Sequence, residues 1–244
     1  MNWELHNEVL EPDDNRFFLE ENYADFSLQD AEKVRESLWA DENREKHDAS
    51  DRPDKSPFFE EVKAAYLEEH ELLPENFQPT NPFAGEIRQT VNEMFTPEQI
   101  TDWPNKTDWE KADLLYQLVD KLSALLGVEV ITVITPLEVL GGFDRKTSEL
   151  YIGTADLYDD RAIGELIATV VHEMEHAFQH KAIEAPASCG ISQEQAAIWK
   201  KNAEEYIPYS KSPEGYRNQP IEKDAEQLAE WVTQSLFIKG EVEG

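Results

Sequence analysis

The sequence predicts an α+β fold that is mostly helical, with a small mixed or antiparallel sheet and a central helix. Two observations favour helices: apolar residues recur at spacings of three and four, and capping residues precede these stretches. A third observation favours the sheet. β-Branched residues crowd between Val128 and Thr135, and a turn-rich stretch follows at 138–153. We therefore expect one strand and a hairpin set among helices.

The amino-terminal region is the most acidic part of the chain. Residues 1–80 carry 8 basic and 23 acidic residues, a net charge of −15 that equals the charge of the much longer remainder. Ser27 begins a helix with little apolar stripe, 48–57 is a polar break before a second helix, and 73–83 is the linker candidate. We expect an acidic, mainly helical, partly flexible region at 1–80 and a separate domain at 81–244.

Capping residues set the helix boundaries expected in the second domain. A loop is expected at 183–191 and a polar stretch at 209–219. The predicted helices cover 83–95, a short stretch after Thr96, a long stretch from the Thr107–Glu110 capping box to Gly127, a stretch from Ser192 to before Pro208, and a last stretch from Pro220.

A motif within residues 165–181 carries most of the chemistry that the sequence indicates. His172-Glu173-Met174-Glu175-His176 reads H-E-x-x-H, and positions four apart lie one turn apart on one helix face. His172 and His176 can therefore bind one metal ion, with Glu173 beside it to act on a water of that ion. The five-residue string also occurs by chance. Whether it indicates a metal site therefore depends on its position in a helix.

The predicted central helix has two distinct faces, which a chance occurrence in a loop would lack. At about 100° per residue the apolar side chains centre opposite His172, so that face packs. The apolar residues are Ile163, Leu166, Ile167, Val170, Val171, Met174, Ala177 and Phe178. The face of His172 carries Glu165, Thr169, His176, Gln179 and His180.

A zinc site needs about four ligands, three of them from protein when one position stays open for water. His180 lies about 12 Å along the helix axis from His172, out of reach of an ion shared with His176. The longer motif H-E-x-x-H-x-x-G-x-x-H brings in a third histidine through a turn at its glycine. That motif is excluded here, because Gln179 stands at its glycine position and Ala182 at its third histidine. We expect His180 at the rim of the site, behind a ligand, or exposed.

Glu222, in the first turn of the last helix, is the better candidate for the third ligand. Asp224 lies about 200° away and should face solvent, whereas Glu226 shares the face of Glu222 and could support the site from behind a ligand. Acidic residues in a first turn also complement the helix dipole, so spacing alone leaves ligand and cap equally open.

Residues near the candidate ligands could stabilise a transition state or bind a substrate. Strand 149–153 is expected at a sheet edge, where an extended peptide could pair with it. Loop packing is at least as good an interpretation for the candidate oxyanion donors. These donors are Tyr206, Tyr209, Tyr216 and Arg217.

Four segments resemble a zincin-type peptidase domain: GGFDRKTSELYIG, ELIATVVHEMEHAFQH, WKKNAEEYI and YRNQPIEKDAEQLAE. They are similar to small H-E-x-x-H…E (gluzincin) domains of phage and mobile-element proteins. The spacing of Glu222, Ala225 and Ala229 also resembles the ImmA/IrrE-type peptidases. The resemblance covers roughly residues 128–236 and implies that Glu222 is the third zinc ligand. It implies a chemistry and no particular substrate.

The expected function is therefore a zinc-dependent peptidase, with Glu173 as the general base in hydrolysis of an amide bond of a protein or peptide. An alternative from another class is a non-catalytic acidic module that binds a basic protein or mimics nucleic acid. A further hypothesis is that residues 1–80 cover the cleft until a partner removes them.

Charge and composition narrow the expected partners. With 22 basic and 52 acidic residues the net charge is −30, which disfavours nucleic acid and anionic membranes and is compatible with a basic peptide substrate. The single cysteine, Cys189, cannot form an internal disulfide and is expected to be buried. No long apolar run and no signal-type start are present, so we expect no membrane span and a cytoplasmic location.

Overall fold

The structure, a computed structural model, describes residues 56–135, 141–209 and 211–238. Within these ranges the chain is mostly helical with a small mixed sheet, so the predicted α+β class is confirmed. The first helices are α1 (Ser56–Glu69), α2 (Ala84–Met94), α3 (Pro97–Thr101) and α4 (Asp108–Leu126). The strands are β1 (Ile131–Thr135), β2 (Gly141–Asp144) and β3 (Glu149–Gly153). The later helices are α5 (Thr154–Tyr158), α6 (Ile163–Glu184), α7 (Gln193–Glu204), α8 (Pro213–Arg217) and α9 (Pro220–Ile238).

The three strands lie in the order β1-β3-β2, with β3 parallel to β1 and antiparallel to β2. Ile131 pairs with Glu149 in the parallel ladder, and Gly141 pairs with Ile152 in the antiparallel one. The expectation that 149–153 form a sheet edge is wrong, because β3 is hydrogen-bonded on both sides. The hairpin prediction is confirmed in its described part, and β2 is an edge strand of this sheet.

Helix α6 lies at the centre of the fold and contacts α1, α4, α7, α9 and the hairpin strands. Its predicted apolar stripe is buried throughout. The motif part of the opposite face is buried as well, since His172, Glu173, His176 and Gln179 are all at most 9% exposed. Glu165, Thr169 and His180, further along that face, are half-buried. Polar side chains in a buried position require partners, so the face of α6 that carries the motif must be matched by polar groups from other elements.

Helix α9 supplies the surface that covers α6. It begins at Pro220 as predicted. Its apolar stripe is buried, so the helix lies with one side on the core. The buried stripe residues are Ile221, Ala225, Leu228, Ala229, Val232 and Leu236. This packing brings the first turn of α9, with Glu222, next to the motif of α6.

The predicted capping signals are found where the sequence placed them. Thr107 Oγ1 accepts from the Glu110 N–H, and Glu110 Oε2 accepts from the Thr107 N–H, which forms the capping box of α4. Gly127 ends α4 with φ at 62°. Lys181 Nζ donates to the carbonyls of Leu126 and Gly127, so α6 neutralises the carboxyl end of α4.

Residues before 81 join the same core in the part that the structure describes. Tyr66 of α1 is 3% exposed and packs in the core cluster. The Leu73 N–H donates to Gln234 Oε1, and Gln234 Nε2 donates to the Glu71 carbonyl. The segment proposed as a linker is therefore fastened to α9.

The division into domains at residue 80 stays a prediction. The helix expected from Ser27 and the polar break up to residue 55 lie outside the described residues. No helix of the described ranges is both long enough and apolar enough to cross a membrane. Cys189 is a buried free thiol, as expected.

Helix α8 lies in the stretch expected to be merely polar. Ser212 Oγ accepts from the Gly215 N–H, Pro213 occupies the first helical position, and Tyr216 is buried. The Ser-Pro start is an ordinary helix signal. Because the surrounding residues are polar, composition alone does not indicate this helix. Its main contribution to the core is the buried ring of Tyr216.

His70 fastens α1 to the two long helices. Its Nε2 lies 2.8 Å from Glu165 Oε1 on α6, its Nδ1 lies 3.8 Å from Glu230 Oε1 on α9, and its ring stacks on Tyr66. The hydrogen bond to Glu165 and then the Glu230 carboxylate raise the pKa of His70 to about 10. Glu165 therefore belongs to this contact, away from the His172 cluster.

The His70 contact predicts a loss of stability at alkaline pH. Because the folded-state pKa lies above the unfolded value of about 6.5, the stabilisation is complete below that pH and disappears as pH rises towards about 10. Since the group is partly exposed, we expect about 1 kcal/mol at most. Urea unfolding at pH 6 should give a higher free energy of unfolding for the wild type than for His70→Gln, and this difference should be smaller at pH 9.5. The same difference at both pH values would contradict the prediction.

Candidate metal centre

Three side chains from two helices converge on one point in the interior. His172 and His176 come from adjacent turns of α6, and Glu222 comes from the first turn of α9. His172 Nε2 and His176 Nε2 are 3.0 Å apart, and Glu222 Oε2 lies 3.5 and 3.4 Å from them. All three residues are buried, and in the described residues they form a group able to hold a metal ion.

The spacing of these three atoms matches one face of a zinc tetrahedron. Zinc bonds imidazole nitrogen and carboxylate oxygen at about 2.0–2.2 Å, so two tetrahedral ligand atoms lie about 3.3–3.5 Å apart. The observed separations of 3.0, 3.4 and 3.5 Å fall close to that value. Two imidazoles and one carboxylate are also a ligand set that zinc accepts. The residues present therefore fit the ion.

The side chain of Glu222 points towards the two histidines. This favours the role of a metal ligand over that of a helix cap, the two interpretations that sequence spacing leaves open. Its side chain is 4% exposed, so it does not act as a solvated cap at the start of α9. The Tyr206 hydroxyl donates to Oε1 at 2.8 Å, and the Tyr216 hydroxyl donates to Oε2 at 2.5 Å. Two donors from the α7–α9 connection thus fix the carboxylate that faces the histidines.

Gln179 holds the second histidine, a role that the sequence pattern alone does not reveal. It is fully buried, and its Nε2 donates to the Ile221 carbonyl at 3.0 Å. This bond orients the amide so that Oε1 lies 2.9 Å from His176 Nδ1. Because an amide oxygen only accepts, His176 carries a proton on Nδ1 and directs the lone pair of Nε2 towards the cluster.

The two glutamates of the motif have opposite surroundings. Glu173 is 1% exposed and lines a cavity of about 350 Å³ together with His176 and Glu222. Glu175 is buried away from that cavity, where the Asn81 amide donates to it. Burial raises the pKa of Glu175 to about 8. Only Glu173 is therefore placed to meet a molecule that enters the cavity.

The remaining candidate residues are distributed around this centre. His180 lines the cavity, 6.2 Å from the Phe143 ring, and stands outside the group of three possible ligands. Tyr209 is buried in the cavity wall with its ring edge-on to Tyr216. Arg217 is exposed and lies over the Tyr209 ring rather than in the cavity wall.

One acid of α9 differs from its expected position. Asp224 does not face solvent: it accepts from Trp199 Nε1 at 2.7 Å and from Gln195 and Thr80, so it joins α9 to α7 and to the segment before α2. The expectation was wrong because α7 covers that side of α9. Glu226 is exposed and does not line the cavity.

Gly141 allows the hairpin to approach α6 beside the motif. A Cβ at this position would lie 2.3 Å from Thr169 Cγ2 and 3.4 Å from Glu173 Cγ. Any other residue would therefore require Thr169 or β2 to shift. This close approach is what makes β2 one wall of the cavity.

No protein-family model, no curated protein and no solved structure matches this chain. The resemblance to zincin-type and ImmA/IrrE-type peptidases therefore stays a prediction that depends on the motif residues.

The orientation of Gln179 makes a prediction for metal-free protein. Nitrogen-15 NMR at pH 8 should show His176 protonated on Nδ1, because Gln179 Oε1 can only accept. In Gln179→Leu this preference should disappear, while the tautomer of His180, which lies outside the contact, should be unchanged. Wild-type His176 protonated on Nε2 would contradict the assigned geometry.

Proposed function

We propose that this protein is a zinc-dependent peptidase that hydrolyses an amide bond in a protein or peptide. The observation that supports this most strongly is the spacing of three buried ligand atoms, close to a tetrahedral face. A general base on the same cavity wall adds to it, because Glu173 follows His172 directly in the motif. Two imidazoles and a carboxylate also suit ferrous iron, but the glutamate within the motif favours hydrolysis.

His172, His176 and Glu222 would hold the ion. Zinc in this position supplies Lewis acidity, which lowers the pKa of a water and polarises an amide carbonyl. The protein's contribution is a fixed set of donors, because Gln179 orients His176 and two tyrosine hydroxyls orient Glu222. We therefore expect affinity for zinc to depend on these outer contacts as well as on the ligands.

Glu173 would carry the proton. It accepts the proton of the attacking water while the new C–O bond forms, and delivers it to the amine when the C–N bond breaks. Its burial at 1% exposure keeps competing water away from the carboxylate. Tyr209, in the cavity wall, is our candidate donor to the carbonyl oxygen, since the hydroxyls of Tyr206 and Tyr216 already donate to Glu222.

An extended substrate would lie along β2. Its partner β3 is already paired on both sides, whereas β2 has β3 as its one strand neighbour in the described ranges. Gly142, Phe143 and Asp144 of β2 line the cavity that contains Glu173. Strand addition at this edge would therefore carry a peptide bond past the motif.

Removal of the third ligand is the first test of the proposal. Purified protein should contain about one zinc per chain by elemental analysis. Glu222→Ala should weaken zinc binding at least about 100-fold, because only two ligands remain. Glu226→Gln is the matched control, since this exposed glutamate lies one turn further along the same helix. Equal zinc affinity of Glu222→Ala and wild type would show that Glu222 is no ligand.

Removal of the general base is the second test. Glu173→Gln should keep its zinc and cleave a peptide library about 100-fold to 10,000-fold more slowly, as measured by mass spectrometry of the products. Glu226→Gln should cleave like the wild type. If the zinc-loaded wild type cleaves no peptide, hydrolysis is the wrong function. Partner binding that survives Glu173→Gln and falls steeply with salt would then favour an acidic binding module.

A further inference from the structure

The hairpin turn at the mouth of the cavity carries two positive charges. Arg145 and Lys146 follow β2 directly, are exposed, and line the cavity. They are conspicuous in a chain whose net charge is −30. Neither forms an ion pair with a carboxylate in the described part of the chain, as the ion pairs there join other residues.

The acids nearest in sequence are already occupied by the turn itself. Asp144 Oδ1 accepts from the Lys146 N–H at 2.7 Å. Glu149 Oε2 accepts from the hydroxyls of Thr147 and Tyr151 at 2.8 and 2.6 Å. These bonds fix the shape of the turn, with Ser148 at a φ of 57°. Both carboxylates thus accept hydrogen bonds within the hairpin, and neither forms an ion pair with Arg145 or Lys146.

Arg145 and His180 line the same cavity. Burial first, and then His176 and Arg145, lower the pKa of His180 to about 4. Two acids of the cavity wall, Glu173 and Glu222, have roles at the metal centre in the proposed function. The two positive charges of zinc and the carboxylates of Glu173 and Glu222 would balance formally. Asp144, which also lines the cavity, offsets one of the two charges of the turn, so the mouth of the cavity keeps one net positive charge.

We propose that Arg145 and Lys146 form a site for a carboxylate of the substrate, either an Asp or Glu side chain or the carboxyl terminus of the peptide. The inference rests on the proposed peptidase function and names its substrate class. A guanidinium binds a carboxylate through two parallel hydrogen bonds, and the lysine adds a second charge. A basic peptide, which net charge alone suggests, would meet like charge here.

The local charge outweighs the net charge of the chain for a bound peptide. At physiological ionic strength, exposed charges further than about 8 Å away are largely screened. A carboxylate that contacts the turn therefore interacts with Arg145 and Lys146 more strongly than with distant surface acids. The edge strand β2 leads a paired peptide towards this turn, because Asp144 is its last residue.

The test uses peptide hydroxamates, which bind the metal and leave the peptide in the cleft. One series carries the hydroxamate at the carboxyl end of a tripeptide with Glu, Gln or Lys as the variable residue. A second series carries it at the amino end and finishes in a free carboxylate or an amide. Binding to zinc-loaded protein is measured by calorimetry at 50 and 300 mM salt.

We expect the carboxylate form to bind at least about fivefold more tightly than its neutral partner in one of the two series. That series identifies the source as a side chain or a chain terminus. The preference should vanish in Arg145→Gln/Lys146→Gln and shrink at high salt. The control Lys200→Gln/Lys201→Gln removes the same charge from exposed positions of α7 that do not line the cavity, and should keep the preference.

The failures of the two proposals are distinguishable. If all hydroxamates bind the wild type equally, or the Lys probe binds best, the carboxylate site is wrong and the metal centre stands. If no hydroxamate binds to zinc-loaded wild type, the proposed function is wrong and the carboxylate site falls with it. Thermal unfolding of each variant checks that the exposed substitutions leave the fold intact.

Discussion

The contact between α6 and the first turn of α9 is the constraint on which the rest of the structure depends. The face of α6 that carries the motif is buried, and burying imidazoles and carboxylates costs several kcal/mol unless they are matched. The match comes from Glu222 and from the bond between Gln179 and the Ile221 carbonyl. Both contacts require one particular position of α9 against α6. The packing of the apolar stripes of the two helices sets that position. Core packing and polar chemistry therefore specify the same arrangement.

Much of this arrangement was accessible from the sequence because its determinants are local. The i, i+4 spacing of His172 and His176 and the surrounding apolar period define a helix and its two faces without tertiary information. Capping residues such as Thr107 and Pro220 begin helices through bonds and backbone angles within one turn. For Glu222, position in the first turn of an amphipathic helix leaves ligand and helix cap equally open, and the resemblance to H-E-x-x-H…E domains is what favours the ligand.

The features that sequence missed depend on which elements become neighbours. The β-propensity of a strand does not tell whether it is paired on one side or on two, so the sequence does not distinguish the central strand β3 from the edge strand β2. The helical angle between Glu222 and Asp224 predicts a solvent position for Asp224, because this angle contains no information about α7, whose Trp199 donates to that carboxylate. Gln179 looked like one more polar residue on the motif face. Its function as an oriented amide depends on a carbonyl 42 positions away in the chain.

The separation between the two ligand helices has a consequence for biosynthesis. His176 and Glu222 are 46 positions apart, and the chain is made amino end first. A growing polypeptide that has emerged only as far as α7 has two imidazoles and lacks both the carboxylate and the Ile221 carbonyl that orients Gln179. The three side chains of the candidate metal centre can come together only after α9 has been translated and has docked. In the proposed function, hydrolysis would therefore begin only after α9 has docked.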